Sequence, residues 1–269
     1  DLVDTTSPDN EDDYIKPDGI TEKDAQEYII KDLVQKNGFV RGRDKNDIDY
    51  KSMPINPRTG FDVVALIKFI KETQPHVWDY FSQYSEPAKE LEELVKIEKE
   101  TRGTLSLICD GIPASNDRPA ITICYNTSAI NPEQQVLWEK NNFIVYDEVK
   151  YETIENPTRR IDLVIAVNGI PFEAIELKNE LTGQSTEHAE EQFRSTRSNL
   201  EPLLKPVTGC LVHYSMSRRE VAFTTSLRGA NTKFLPFNKG FEGGKGNPPV
   251  DDQPKHNGFR THYMMDEIW

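Results

Sequence analysis

Arg159-Arg160-Ile161-Asp162-Leu163-Val164-Ile165-Ala166-Val167-Asn168-Gly169-Ile170-Pro171-Phe172-Glu173-Ala174-Ile175-Glu176-Leu177-Lys178 contains two apolar runs joined by a turn signal. The first run, Arg160 to Val167, carries one acid, Asp162. The second, Phe172 to Lys178, sets Glu176 and Lys178 two residues apart. Short β-branched runs bounded by turn residues read as strands, and Asn-Gly is the strongest short hairpin signal because a type I′ turn needs positive φ at both positions. Strand side chains alternate faces, so Glu176 and Lys178 point the same way. Register decides whether Asp162 joins them. A two-residue turn at Asn168-Gly169 sets Asp162 opposite Ile175. A three-residue loop, Asn168-Gly169-Ile170, sets it opposite Glu176 and leaves Pro171 at the first strand position, where a missing N–H is tolerated. The three-residue loop, or an equivalent bulge, is therefore expected if the two acids share a site.

Two carboxylates at a strand crossing form a hard oxygen site for Mg²⁺, with Mn²⁺ as a substitute, and the Leu177 carbonyl is a third candidate oxygen. Such an ion polarises a phosphate and lowers the pKa of a bound water, while a neighbouring lysine orients that water or stabilises developing charge. The same acids and lysine on a half-exposed strand also form an ordinary solvated, salt-bridged face. Spacing alone does not choose between these readings.

Outward from the hairpin, Thr21 caps a helix whose apolar residues run through Ala25, Ile29 and Leu33 and which stops at Gly38. Helices are expected at 61–72, 86–101, 132–140 and about 186–200. Strands are expected at 104–109, 120–125, 143–151, 209–214 and 220–225. The order predicts an α/β fold, a mixed central sheet flanked by helices. We divide the chain into an acidic arm (1–20), an N-terminal helical addition packed on the core (21–103), a core (104–228) and a Gly/Pro-rich connector (229–269).

The chain has 269 residues, with 32 Lys+Arg against 45 Asp+Glu and a formal charge of −13. A protein that coats DNA by neutralising phosphates is usually basic, so passive coating is disfavoured, whereas an acidic enzyme that holds divalent cations is not. No window approaches the roughly 18 apolar residues of a membrane span. Three cysteines without metal spacing suit reduced thiols and a cytoplasmic location. His188 reads as a solvated helix residue, and His213 as a strand residue that is either packed in the core or exposed on the surface. Arg194, Arg197, Arg218 and Arg219 are candidates for backbone phosphate contacts, or for surface salt bridges.

Several motifs together resemble one family. They are Arg160-Ile161-Asp162-Leu163-Val164, Val167-Asn168-Gly169-Ile170-Pro171, Glu176-Leu177-Lys178-Asn179, Thr182-Gly183-Gln184, Ala189-Glu190-Glu191-Gln192-Phe193-Arg194, Phe234-Leu235-Pro236-Phe237-Asn238-Lys239-Gly240 and Thr261-His262-Tyr263-Met264-Met265-Asp266. The likeness is to the N-terminal endonuclease domain of the R (restriction) subunit of type I restriction-modification enzymes, within the PD-(D/E)XK nuclease superfamily. It implies a restriction-endonuclease-like core that hydrolyses double-stranded DNA in a Mg²⁺-dependent reaction. Asp162 and Glu176, with Leu177, would hold the metal; Lys178 would be the catalytic lysine, and Gln192 the positioning residue on a helix. Glu22 or Glu27 could approach the metal from the first helix.

Phe193 departs from the family pattern, where Tyr is expected, and so does Thr196, where an acid is usual. The resemblance further implies methyltransferase and specificity subunits as partners, and cutting after ATP-driven translocation. The G-x-x-x-x-G-K-[ST] pattern of the motor does not occur in these residues, so ATP is expected only in an absent motor domain and the fragment alone is expected to cut weakly. The alternatives are a stand-alone repair or defence nuclease of the same superfamily and a non-catalytic docking module.

Overall fold

The computed structural model describes residues 21–42, 54–128, 130–154, 158–179, 185–244, 246–250, 256 and 258–269. The expected acidic arm, Thr182-Gly183-Gln184 and Lys245 lie outside them. Helix α1 (Glu22–Lys36) opens on a capping box: the Asp24 amide donates to Thr21 Oγ1 at 3.2 Å and the Thr21 amide to Asp24 Oδ2 at 2.8 Å. It is followed by β1 (Val40–Arg41), then α2 (Val63–Thr73), α3 (Pro75–Phe81), α4 (Pro87–Arg102), α5 (Thr104–Asp110) and α6 (Pro132–Trp138). Next come β2 (Phe143–Lys150), β3 (Arg160–Val167), β4 (Ile170–Lys178), α7 (Thr186–Ser195), β5 (Val212–Ser217), β6 (Val221–Thr224), β7 (Leu235–Pro236) and a π-helical turn, Met264–Ile268.

The strands form one seven-stranded sheet in sequence order, β1 to β7. β1 runs parallel to β2 and β5 parallel to β4, and the other pairs are antiparallel. This is the mixed α/β architecture that the sequence predicts. On one face, Ile29, Ile30 and Leu33 of α1 pack with Tyr263, Met264 and Met265 against Leu163, Ile175, Leu177 and Tyr214. The end of the expected connector is thus part of the core. On the other face, Phe193 of α7 and Leu203 and Leu204 cover Val164, Ala166 and Ala174. α2 to α5 gather a third cluster around Ile170, at the tip of the hairpin.

Two expected strands are absent. Residues 104–110 form α5: Thr104 and Leu107 are buried and Ile108 packs beside them, while Leu105 is exposed. That spacing is helical, and the apparent alternation of Thr-Leu-Ser-Leu was coincidental. Residues 120–125 make only an isolated bridge, Ile112 to Ile121. Side-chain amides serve their backbone where a neighbouring strand would have. Gln74 Nε2 donates to Thr122 O and the Thr122 amide to Gln74 Oε1, both at 2.8 Å. The Tyr125 amide donates to Asn141 Oδ1, and Asn141 Nδ2 to Tyr125 O. Helix α7 also stops at Ser195, short of the expected Leu200, and β5 starts at Val212 because the amides of Gly209 and Cys210 donate back to Lys205 and Leu203.

The hairpin resolves the register. Val167 pairs with Ile170 and Ala166 with Pro171, so the turn has two residues, Asn168 (φ 51°) and Gly169 (φ 89°). Beyond a shift between Ile165 and Ala166, Ile165 pairs with Glu173 and Leu163 with Ile175. Phe172 is thus an extra residue in β4, a bulge. Continued by one residue, the shifted register sets Asp162 opposite Glu176. The turn is the shorter of the two considered, and the equivalent bulge supplies the missing step.

Candidate active site

β3 delivers Asp162 and β4 delivers Glu176, Leu177 and Lys178 to one end of the hairpin. The Leu177 amide donates to Asp162 Oδ2 at 2.7 Å, which fixes that carboxylate against the neighbouring strand. Glu176 is 1% exposed and Lys178 8%. The Lys178 ammonium donates to the Leu177 carbonyl at 2.6 Å and lies 3.6 Å from Glu22 Oε2. From α1, Gln26 Nε2 donates to the Asp162 carbonyl at 2.6 Å. The first helix therefore closes over the ends of both strands.

Burial pushes the Asp162 carboxyl up to about 8, and the charge of Glu176 adds to that, against the Leu177 amide and Lys178. Burial also raises Glu176, against Arg197 and Lys178. Two like charges withdrawn from water favour any cation placed between them.

Glu176 Oε1 accepts from Arg197 Nε at 2.7 Å, while Oε2 is buried with no hydrogen-bond partner. Gln192 Oε1 on α7 is also buried without a partner. Buried acceptors are normally satisfied, so each is notable. The available donors to a cation are all oxygens: Asp162, Glu176 and the Leu177 carbonyl. That set fits Mg²⁺ or Mn²⁺ better than a softer ion.

Asp162, Glu176, Leu177 and Lys178 are therefore brought together. Gln192 makes no hydrogen bond to the hairpin acids, although α7 crosses β4 and β5. Of the two first-helix acids, Glu27 is engaged by both terminal nitrogens of Arg41 at 2.8 and 2.9 Å, which leaves Glu22 as the one beside Lys178. Arg197, considered as a phosphate contact, instead turns inward to Glu176. Sequence spacing held no signal for that pairing.

Arg194 is likewise used internally, on Glu190 and the Thr232 carbonyl. His188 accepts from the Ser185 amide at 3.0 Å and so caps α7. His213 is buried edge-on to Phe193, and burial pushes its imidazole down to about 3, so it stays neutral. Phe193 is fully buried, so a hydroxyl on that ring would reach core rather than solvent. Thr196 closes the last turn of α7 by donating to the Gln192 carbonyl at 3.0 Å. Among the described residues, no helix is long and apolar enough to cross a membrane.

Neither a curated protein nor a solved structure matches the chain. A family model described as type I restriction enzyme R protein N terminus matches residues 19–232.

Proposed function

The chain belongs to the family of type I restriction enzyme R protein N termini, and from that premise we propose that the hairpin site is a PD-(D/E)XK nuclease centre that hydrolyses phosphodiester bonds of double-stranded DNA with Mg²⁺ or Mn²⁺. The observation that carries the proposal is that half-buried Asp162 and fully buried Glu176 share one face, with Glu176 Oε2 left unpartnered. Acids on opposite faces would have favoured a docking module.

Asp162, Glu176 and the Leu177 carbonyl are the metal-holding set. An ion there supplies Lewis acidity and a water of lowered pKa. The remaining work falls to the chain's own residues. The Leu177 amide fixes the rotation of Asp162. Lys178, tethered to the Leu177 carbonyl, presents its ammonium where charge builds on the phosphate or where the attacking water must be held. Glu22 restrains that ammonium from the α1 side. Arg197 favours the ionised form of Glu176, against burial, and orients it. Gln192 takes a positioning role through its unpartnered amide oxygen.

In the enzyme, the proposed substrate is DNA brought by ATP-driven translocation, with the motor, methyltransferase and specificity functions outside these residues. The location that suits this assembly is the cytoplasm.

The test is calorimetric titration of Mn²⁺ into the wild-type chain and an Asp162→Ala/Glu176→Ala variant. Binding in the wild type and its loss in the variant supports one shared site. Equal binding in both would end the metal assignment.

A further inference from the structure

We infer that His256, His262 and Asp266 form a second metal site, for a zinc-like transition ion, that fastens the segment around Phe259 onto α1. This inference is independent of the hairpin chemistry.

One donor atom from each of the three residues lies within 4.8 Å of the others. The two imidazoles stack with ring centroids 3.8 Å apart and an interplanar angle of 23°. His262 Nδ1 lies 2.8 Å from Asp266 Oδ2. Two imidazole nitrogens and one carboxylate oxygen make a borderline donor set. It suits Zn²⁺ or Co²⁺, leaves one tetrahedral position for water, and is poor for Mg²⁺. A tetrahedral ion with bonds near 2.0–2.1 Å wants its donors about 3.4 Å apart. The donors lie within 4.8 Å of one another, so each pair has at most about 1.4 Å to close for that geometry.

The backbone is already arranged for this. The Phe259 amide donates to the His256 carbonyl at 2.8 Å, the His262 amide to the Phe259 carbonyl at 3.2 Å, and the Asp266 amide to the His262 carbonyl at 3.0 Å. These linked turns carry the three donors on one short stretch of chain. Thr261, between them, is fully buried and donates through Oγ1 to the Ser217 carbonyl at 2.9 Å, which anchors the stretch to the end of β5. Chelation across this frame fixes few additional dihedrals.

The frame encloses Phe259, which is stacked on Tyr28 of α1 at 4.7 Å and lies 5.5 Å from the Arg218 guanidinium. An ion that joins residue 256 to residues 262 and 266 brackets this wedge. It thereby braces α1, the helix that brings Glu22 and Gln26 to the hairpin acids.

The test uses the full 269-residue chain, freed of any affinity tag. Zn²⁺ is titrated by calorimetry and thermal unfolding, and Co²⁺ by its visible ligand-field absorption. The variants are His256→Ala, His262→Ala and Asp162→Ala/Glu176→Ala. One equivalent bound in the wild type and in the acid-pair variant, a higher Tm on binding, and affinity at least about tenfold weaker in each histidine variant would support the site. No stoichiometric binding in the wild type would overturn it. So would loss of binding in the acid-pair variant, or wild-type affinity in either histidine variant. Both histidines are partly exposed, and circular dichroism of the variants confirms that they fold.

Discussion

Arg197 Nε donates to Glu176 Oε1 across 2.7 Å and 21 residues of sequence, with its side chain 10% exposed against 1% for the glutamate. A buried ion pair is an uncertain source of net stability, but removing one partner strands the other charge. Arg197→Ala is therefore expected to destabilise the chain by roughly 3 kcal/mol or more in urea unfolding. Arg197→Ala/Glu176→Gln is expected to regain most of that loss, because no buried carboxylate is then left alone. A double variant as unstable as the single one would show that the guanidinium acts through packing rather than charge.

The hairpin tip is held from outside. The Asp62 amide donates to the Gly169 carbonyl at 2.9 Å, and a Cβ at Gly169, which already has positive φ, would stand 2.3 Å from the Asp62 carbonyl. Gly169→Ala is expected to cost about 3 kcal/mol. Asn168 is fully buried. Its Oδ1 accepts from the Asn142 amide, and its Nδ2 donates to the Ile123 carbonyl and to Asn141 Oδ1. Asn168→Ala is expected to cost a similar amount, since two backbone groups lose their partner. Unfolding free energies within about 0.5 kcal/mol of wild type would refute the account of this turn.

Glu173 supplies a pH dependence. Burial pushes it up to about 7, against the hydrogen bond it accepts from Trp269 Nε1 at 2.7 Å. The folded chain keeps this proton between about pH 4.5 and 7, where the unfolded chain releases it. The stabilisation is complete below that window and is lost as pH rises through it. The loss is on the order of 3 kcal/mol. Glu173→Gln can still accept from Trp269 and does not titrate. Its Tm relative to wild type is expected to rise across the window and level off above it. The buried acids at the site titrate in both proteins and cancel in this difference. A pH-independent Tm difference would mean that Glu173 is ionised in the folded chain throughout.

Glu22 and Glu27 separate by partner. Glu27→Gln removes an exposed pair with Arg41 and is expected to cost at most about 1 kcal/mol while leaving Mn²⁺ affinity at the wild-type level. Glu22→Gln releases the restraint on Lys178 and is expected to weaken Mn²⁺ binding about tenfold. Calorimetry on both variants checks this, and the opposite ranking would transfer the role to Glu27.

The central hairpin was legible because two local signals agreed: a pair of short apolar, β-branched runs and an Asn-Gly turn between them. The Phe172 bulge was legible only as a condition on shared chemistry, since no residue type announces a bulge in so apolar a strand. Residues 104–125 misled because a four-residue alternation fits a short helix equally well. The backbone there is satisfied by Gln74, Asn141 and Asn168, one of them 48 residues away from its partner. Arg197 was visible as a cation, but its inward direction depends on where the chain turns after α7, which spacing does not encode. The choice of Glu22 over Glu27 likewise depended on Arg41 in β1.

The bulge at Phe172 makes the interval between the turn and Glu176 a matter of parity. Side chains in β4 change face with every residue, so inserting or deleting one residue between Gly169 and Glu176 would send Glu176 and Lys178 into the layer that α1 covers and leave Asp162 without a companion. Changes of two residues, or loss of one residue together with the bulge, preserve the face. Length variation in this short stretch is therefore tolerated in even steps, or as the single step that removes the bulge itself, a constraint on chain arithmetic rather than on the identity of any side chain.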